Sequence, residues 1–426
     1  MRIHFFLLGF CLLLGLAPAC AQNDENPNNE NKIIDPNIRS AQLHLDGATL
    51  ILPIVDLNAA NNVMSLQFDH MGEDIMDYSY AIVHCNSDWQ PSDLDDSQYI
   101  KGYREDNINT VTVSQNTIVD YTNYVVSLPN NNMRWMVSGN YILRILDNDN
   151  DKQVVLARRF MVVEPLWAIE PVMVQPAKVS KLRTHQELDF SLNIKTTRVS
   201  VPQTDIKAYV LQNNRWDNCI GPIAPFGIGP NRIKFDYQDK IVFPAGLDYR
   251  FFDMRTLAYK GEFVRRIDQF PDHIDVTLQV DHSRASTQTI TRTDINGQYV
   301  LANSTANQSY MQSEYANVLF SISQNLPLED KDVYVFGELS DWQLKPEFKM
   351  EFNEEVKAYY CEILLKQGYY NYEYVVVDRN TGVREEDGLE GNWYDTSNRY
   401  TILVYFRPFG ARYDRLMAAS SIDTRP

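Results

Sequence analysis

The chain reads as an all-β protein made of immunoglobulin-like β-sandwiches in series, with few and short helices. Short runs of alternating or β-branched residues recur along it, as in Val63–Phe68, Tyr124–Leu128 and Tyr141–Leu146. Turn signals such as Asp46-Gly47 and Ser138-Gly139 separate them, the spacing expected of sandwich strands. No long stretch carries the apolar period of about 3.6 residues that a helix needs.

The N-terminus has the form of an export signal over residues 1–21. Arg2 supplies positive charge and Phe5 to Leu16 is apolar, a run shorter than the roughly 20 residues that span a membrane. Ala19-Cys20-Ala21 fits an A-x-A cleavage site that leaves Gln22 first. The competing reading makes Cys20 the lipidated residue of a lipoprotein, which would tether the mature chain to a membrane. Residues 22–38, rich in Asn, Asp, Glu and Pro, are expected to be a flexible leader.

Sandwich one is expected over 39–165. Its strands include Leu43–Leu45, Thr49–Val55, Thr110–Val113 and Val154–Val163, and Glu164-Pro165 closes it. Sandwich two is expected over 166–308, with Glu187–Ile194, Ile206–Leu211, Arg232–Asp236, Tyr249–Asp253 and His273–Val280. Asn296-Gly297 reads as a hairpin turn, with Gln298–Leu301 as its return strand. Sandwich three is expected over 309–426, with Val333–Gly337, Tyr359–Leu365, Tyr369–Val377 and Thr401–Phe406. Thr401–Phe406 is apolar on both faces, so it should be central and covered on both sides. The tail after Arg412 is expected to be peripheral.

The formal net charge of −17 argues against a nucleic-acid partner, which needs basic residues against phosphate. Beyond the signal, Cys85, Cys219 and Cys361 are too few and too scattered for a disulfide framework. Walker, dinucleotide-binding, His-Glu-x-x-His and Gly-x-Ser-x-Gly motifs are absent. His44, His70 and His84 share no metal-ligand spacing. Asp93-Leu94-Asp95-Asp96 lacks the glycine of a calcium loop. The sequence therefore points to no catalytic residue, metal or cofactor, and no enzyme is expected.

Asp77–Leu94 sets a histidine beside a cysteine. The alternation of Tyr78, Tyr80, Ile82 and His84 with Ser79, Ala81, Val83 and Cys85 is that of a strand. Neighbouring side chains then point to opposite faces, so His84 and Cys85 cannot form a dyad, and Cys85 reads as a core residue. The strand breaks at Asp88-Trp89 into a long acidic loop. Trp89, Tyr99 and Tyr103 on or after that loop are the candidate exposed anchors for a protein partner. The simpler reading is that they close over their own sandwich. In the third unit, Phe336-Gly337, Asp341-Trp342 and Gly368-Tyr369-Tyr370 are similar to the immunoglobulin-like modules that bind starch or glycogen. That resemblance implies a glycan platform at Trp342 and a second at Trp393.

Longer phrases carry a broader resemblance: Tyr78–Trp89 with Gln90-Pro91-Ser92-Asp93-Leu94, Ser138-Gly139-Asn140-Tyr141, and Glu390-Gly391-Asn392-Trp393-Tyr394 running on through Tyr405–Gly410 to Arg412-Tyr413-Asp414. On these, nearly all of the mature chain resembles the plug protein family of the type IX secretion system of Bacteroidetes. The resemblance implies a non-enzymatic periplasmic subunit that closes the periplasmic side of a large outer-membrane β-barrel translocon, its partner. The alternative is a surface lipoprotein, anchored at Cys20, that binds glycans through the third sandwich.

Overall fold

A computed structural model describes residues 29–59, 62–195, 197–229, 231–286, 294–304, 310–386 and 388–424. The signal segment, Cys20 and most of the leader lie outside the described residues. Among the described residues strands dominate, and the two α-helices are four-residue turns at Asp96–Tyr99 and Pro202–Asp205.

The first sandwich packs two sheets. One runs in the order Ile38–Leu45, Met64–Met71, Tyr121–Leu128, Thr110–Val113. The other runs Lys32–Ile33, Gln153–Val163, Gly139–Asp147, Tyr78–Cys85, Glu105–Asn107, with Ile54–Asp56 parallel to Gln153–Val163. The pleat sorts side chains as it must: Met64, Leu66 and Phe68 are buried, while Ser65 and Gln67 between them are half-buried. They meet Tyr80, Ile82, Leu143 and Phe160 of the facing sheet in one core. Only Ile54–Asp56 of the expected Thr49–Val55 strand forms. The end of the leader is not flexible: Lys32–Ile33 pairs with Gln153–Val163, and Arg159 holds the carbonyl of the buried Asn29. Polar composition hid this, because the segment is held mainly by backbone pairing and polar contacts, with Ile33 as its one residue packed on the core.

The middle sandwich does not end where the sequence placed it. Its first sheet has Ala168–Val174, His185–Asn193, Arg232–Phe235 and Gly227–Ile228, with Val242–Pro244. Its second sheet runs Ile220–Ile223, Ile206–Gln212, Arg399–Phe406, Arg415–Asp423. Arg399–Phe406 pairs antiparallel with Ile206–Gln212 over its length, and Tyr400, Ile402 and Val404 share a core with Leu188, Phe190 and Phe235. The last two strands therefore belong to the middle sandwich, and the third is inserted into it. The boundary expected at 308 and the peripheral tail are both corrected, since Arg415–Asp423 is a nine-residue strand. Thr401–Phe406 is central and buried, as its two apolar faces require.

The third unit is a hydrogen-bonded sheet of ten strands wrapped around one core. Eight run in the order Arg250–Asp253, Gly368–Asp378, Lys331–Phe336, Lys349–Asn353, Ala358–Lys366, Tyr315–Ser323, Ile274–Leu278, Val264–Gln269, and two join from the side, Asp281–His282 on Tyr315–Ser323 and Tyr299–Leu301 on Gly368–Asp378. Phe252, Val276, Phe320, Val335 and Tyr372 fill that core. The Asn296-Gly297 turn forms with both residues at positive φ. Tyr299–Leu301 beyond it pairs with Gly368–Asp378.

Candidate partner-docking site

The strand Tyr78–Cys85 delivers His84 and Cys85 to different surroundings. His84 lies among Tyr99, Tyr141 and Tyr413. Its Nε2 is 3.1 Å from the Ser138 carbonyl and its Nδ1 2.7 Å from the Ser92 hydroxyl. A carbonyl only accepts, so Nε2 carries the proton and Nδ1 accepts from Ser92. Burial pushes the imidazole down to about 4, which keeps it neutral. Cys85 joins the apolar layer between the first and middle sandwiches, with Ile142, Met161, Leu403 and Tyr405. Both histidine nitrogens are committed to structure, and the thiol belongs to a different core.

The exit from the strand curls back on itself. Asn86 N–H donates to the Gln90 carbonyl, Trp89 N–H to that of Asn86, and Ser92 N–H to that of His84. Trp89 takes a left-handed backbone with φ of 64°, uncommon for a bulky residue. This turns the indole inward, where it meets Trp216 of the middle sandwich edge-on at 4.9 Å and carries the Arg159 guanidinium 4.4 Å above its ring. Trp89 is only 4 % exposed and Tyr99 only 5 %. Tyr99 stacks by His84 and donates its hydroxyl to Asp96. Two of the three candidate anchors are thus corrected to interior residues. Trp89 closes over the neighbouring sandwich, which a reading of one sandwich at a time cannot see. Tyr103 is 62 % exposed.

A residue that sequence reasoning did not single out as a site dominates the surface here. The hairpin between the last two strands carries Phe409 at its tip, with its side chain wholly in solvent. Ala411 N–H donates to the Pro408 carbonyl, and Gly410 has φ of 83°, the left-handed third position of a type II turn. Arg407 N–H donates to the Asp205 carbonyl, and Arg407 Nε donates to that of Ala411. Arg412 donates to Gln98 Oε1 and to the Asp93 carbonyl. Asp414 is buried and accepts from the Ser87 backbone and hydroxyl at 3.0 and 2.7 Å. The hairpin is therefore clamped onto the acidic loop of the first sandwich. An aromatic residue in a Pro-Phe-Gly turn between two apolar strands was the available signal.

Trp342 is half-buried at the junction of all three sandwiches. Arg215 lies 4.6 Å over its ring, and Tyr249 and Phe336 pack on its edges. The cleft beside it is about 140 Å³ and is also lined by Trp216, Arg158 and Asn214. Trp342 is engaged in joining sandwiches and is not a bare platform. Trp393 is half-buried elsewhere, its N–H on the Gly246 carbonyl where the chain crosses between the middle and third units. Among the described residues, no group of three or more His, Cys, Asp or Glu could hold a metal.

Each pair of sandwiches is joined by polar contacts as well as apolar ones. Between first and third, Lys366 Nζ meets Asp69 at 2.7 Å with both side chains fully buried. Tyr315 and Asn123 also donate to Asp69, and Arg158 pairs with Asp341 at 3.0 Å. Between middle and third, Arg215 pairs with Glu373 at 3.3 Å and Asp217 with Arg384 at 2.6 Å.

A family model described as the type 9 secretion system plug protein 1st domain matches residues 38–164, which is the first sandwich without its N-terminal edge strand. No curated protein matches the chain. A solved structure of a hypothetical protein from Parabacteroides merdae is 32 % identical, with a TM-score of 0.88, and the match covers 93 % of this chain and 99 % of that one. The likeness therefore extends over the inserted third sandwich and the returning strands. The first sandwich is therefore identified with the type IX secretion plug protein family, which supports an involvement of the chain in type IX secretion.

Proposed function

We propose that this protein is a periplasmic plug that closes the periplasmic mouth of the outer-membrane translocon barrel of type IX secretion when no cargo is engaged. The observation that carries the reading is the three-way locking of the sandwiches. Each touches the other two through buried or half-buried contacts such as Trp89–Trp216, Lys366–Asp69 and Arg215–Glu373. A compact chain of this length has a radius of gyration of roughly 22 Å, a bulk suited to stopping a wide lumen. A plug must resist deformation but leave its seat, which favours a rigid body with a moderate, partly polar docking surface. The family's place in secretion supplies the partner class, a translocon component.

The test is a pull-down from detergent-solubilised envelopes with the full-length protein as bait. The large barrel should be retained from cells whose translocon carries no cargo and lost when cargo is engaged. Deleting the protein should let normally excluded solutes leak into cells that keep the barrel. Absence of the barrel from the retained fraction in both cargo states would refute the reading.

A further inference from the structure

We propose that the Pro408–Ala411 turn is the docking point of this protein on its translocon partner, with Phe409 as the anchor that enters an apolar pocket rimmed by carboxylates. The inference rests on the plug reading and adds the face that docks and the chemistry that receives it.

A phenyl ring left wholly in water gives this chain no stabilisation of its own. Its turn is nevertheless built with care. The Ala411–Pro408 hydrogen bond and the left-handed Gly410 fix the tip, and Arg407 and Arg412 brace its two ends. A fixed, exposed aromatic loses little conformational freedom on binding, which is how preorganised anchors gain affinity. Aromatic residues and arginines are also the groups that dominate interface energetics.

The charge around the tip selects the partner. The chain as a whole is strongly acidic, at −17. Arg412 is exposed and donates to two uncharged acceptors, the Gln98 amide oxygen and the Asp93 carbonyl. Arg407 has its carboxylates, Asp414 and Asp93, no nearer than 3.9 and 4.0 Å. Of the two guanidiniums beside the ring, Arg407 is balanced by these carboxylates, and Arg412 is the exposed one held only by uncharged acceptors. An acidic rim on the partner would repel most of this protein and meet Arg412 beside the ring, which sets orientation as well as contact.

The experiment retains the barrel from detergent-solubilised envelopes on full-length wild type, Phe409→Ala, Arg412→Gln and Phe226→Ala. Phe226 is a second exposed ring, 65 % accessible on the middle sandwich, and serves as the control. Phe409→Ala should lose about tenfold or more of the retained barrel. Arg412→Gln should lose less and should flatten the fall in retention as salt rises. Phe226→Ala should behave as wild type, and Phe409→Ala should melt at the wild-type temperature. Undiminished retention by Phe409→Ala, equal loss in Phe226→Ala, or a lowered melting temperature for Phe409→Ala would each overturn the docking point while leaving the plug reading intact. Failure of wild type itself to retain the barrel would overturn both.

Discussion

Lys366 and Asp69 offer the sharpest test of how the sandwiches are held. Both side chains have no exposure, and their charged atoms are 2.7 Å apart. Asp69 also accepts from the Tyr315 hydroxyl at 2.7 Å and from Asn123 at 2.8 Å. The ammonium has the faces of Tyr121 and Tyr310 at 3.7 and 3.5 Å. Replacing Lys366 by Met strands a carboxylate with two neutral donors and no counter-charge. Removing one partner of a buried pair costs about 3–5 kcal/mol. Asp69→Leu strands the ammonium against aromatic faces alone and should cost at least as much. The double variant removes both charges; Tyr315 keeps the Ser40 hydroxyl and Asn123 the Phe68 carbonyl, which leaves one unmet amide hydrogen at about 1–3 kcal/mol. It should therefore be more stable than either single variant. Urea unfolding of the four proteins, followed by tryptophan fluorescence, closes the cycle. A Lys366→Met variant within about 0.5 kcal/mol of wild type would refute the reasoning, because surface-like changes have that size. So would a double variant whose cost equals the sum of the two singles.

Trp89→Ala should destabilise the protein by about 3–5 kcal/mol, the cost of emptying a large buried aromatic site, and a chemical denaturation midpoint will show it; a wild-type midpoint would mean the ring is free. Truncation before Arg399 should abolish cooperative unfolding of the middle sandwich, because Tyr400, Ile402 and Val404 leave its core; circular dichroism melts of the full and shortened chains decide this. His84 has its folded pKa at about 4 against an ordinary 6.5. The unfolded chain then binds the extra proton between those values, so stability present above pH 6.5 is lost as pH falls toward 4, by about 3 kcal/mol in all. His84→Gln should have a flatter stability profile than wild type across that window, and parallel profiles would show that the imidazole is not kept neutral.

Local pattern in this chain reveals that a strand exists and whether it is central, but not which strand it joins. Thr401–Phe406 is apolar on both faces and so reads as covered, and it is. Its partner Ile206–Gln212 lies on the far side of an entire inserted sandwich, and nothing in either segment's alternation encodes that pairing. The same limit governs the opening loop. Alternation at Tyr78–Cys85 correctly separates His84 from Cys85, because the period of a strand is a local property. The inward turn of Trp89 depends on Trp216 and Arg159, which come from remote segments. Tyr103 stays outside: it follows the strand Ile100–Gly102, which pairs with Met133–Trp135 in a two-stranded ribbon. Phe409 is legible as an aromatic in a turn, yet its complete exposure follows from how Arg407 and Arg412 brace the hairpin away from both cores.

The insertion has a mechanical consequence for any plug built this way. Domains in series on single linkers swing by default unless their interfaces are extensive. Here the third sandwich hangs on two chain crossings, and these are tied to each other. Gly246 N–H donates to Asn392 Oδ1, Trp393 N–H and the Thr396 hydroxyl both donate to the Gly246 carbonyl, and Asn398 donates to that of Ala245. The first sandwich closes the triangle through Asp69–Lys366 on one side and Trp89–Trp216 on the other. A triangle pinned on all three sides has no hinge about which one sandwich can swing while the other contacts persist. Opening it would expose the apolar layer between the first and middle sandwiches, Cys85, Ile142, Met161 and Leu403 among it, to water. Under the proposed plug role, release would then proceed by competition at the docking contacts and not by internal opening.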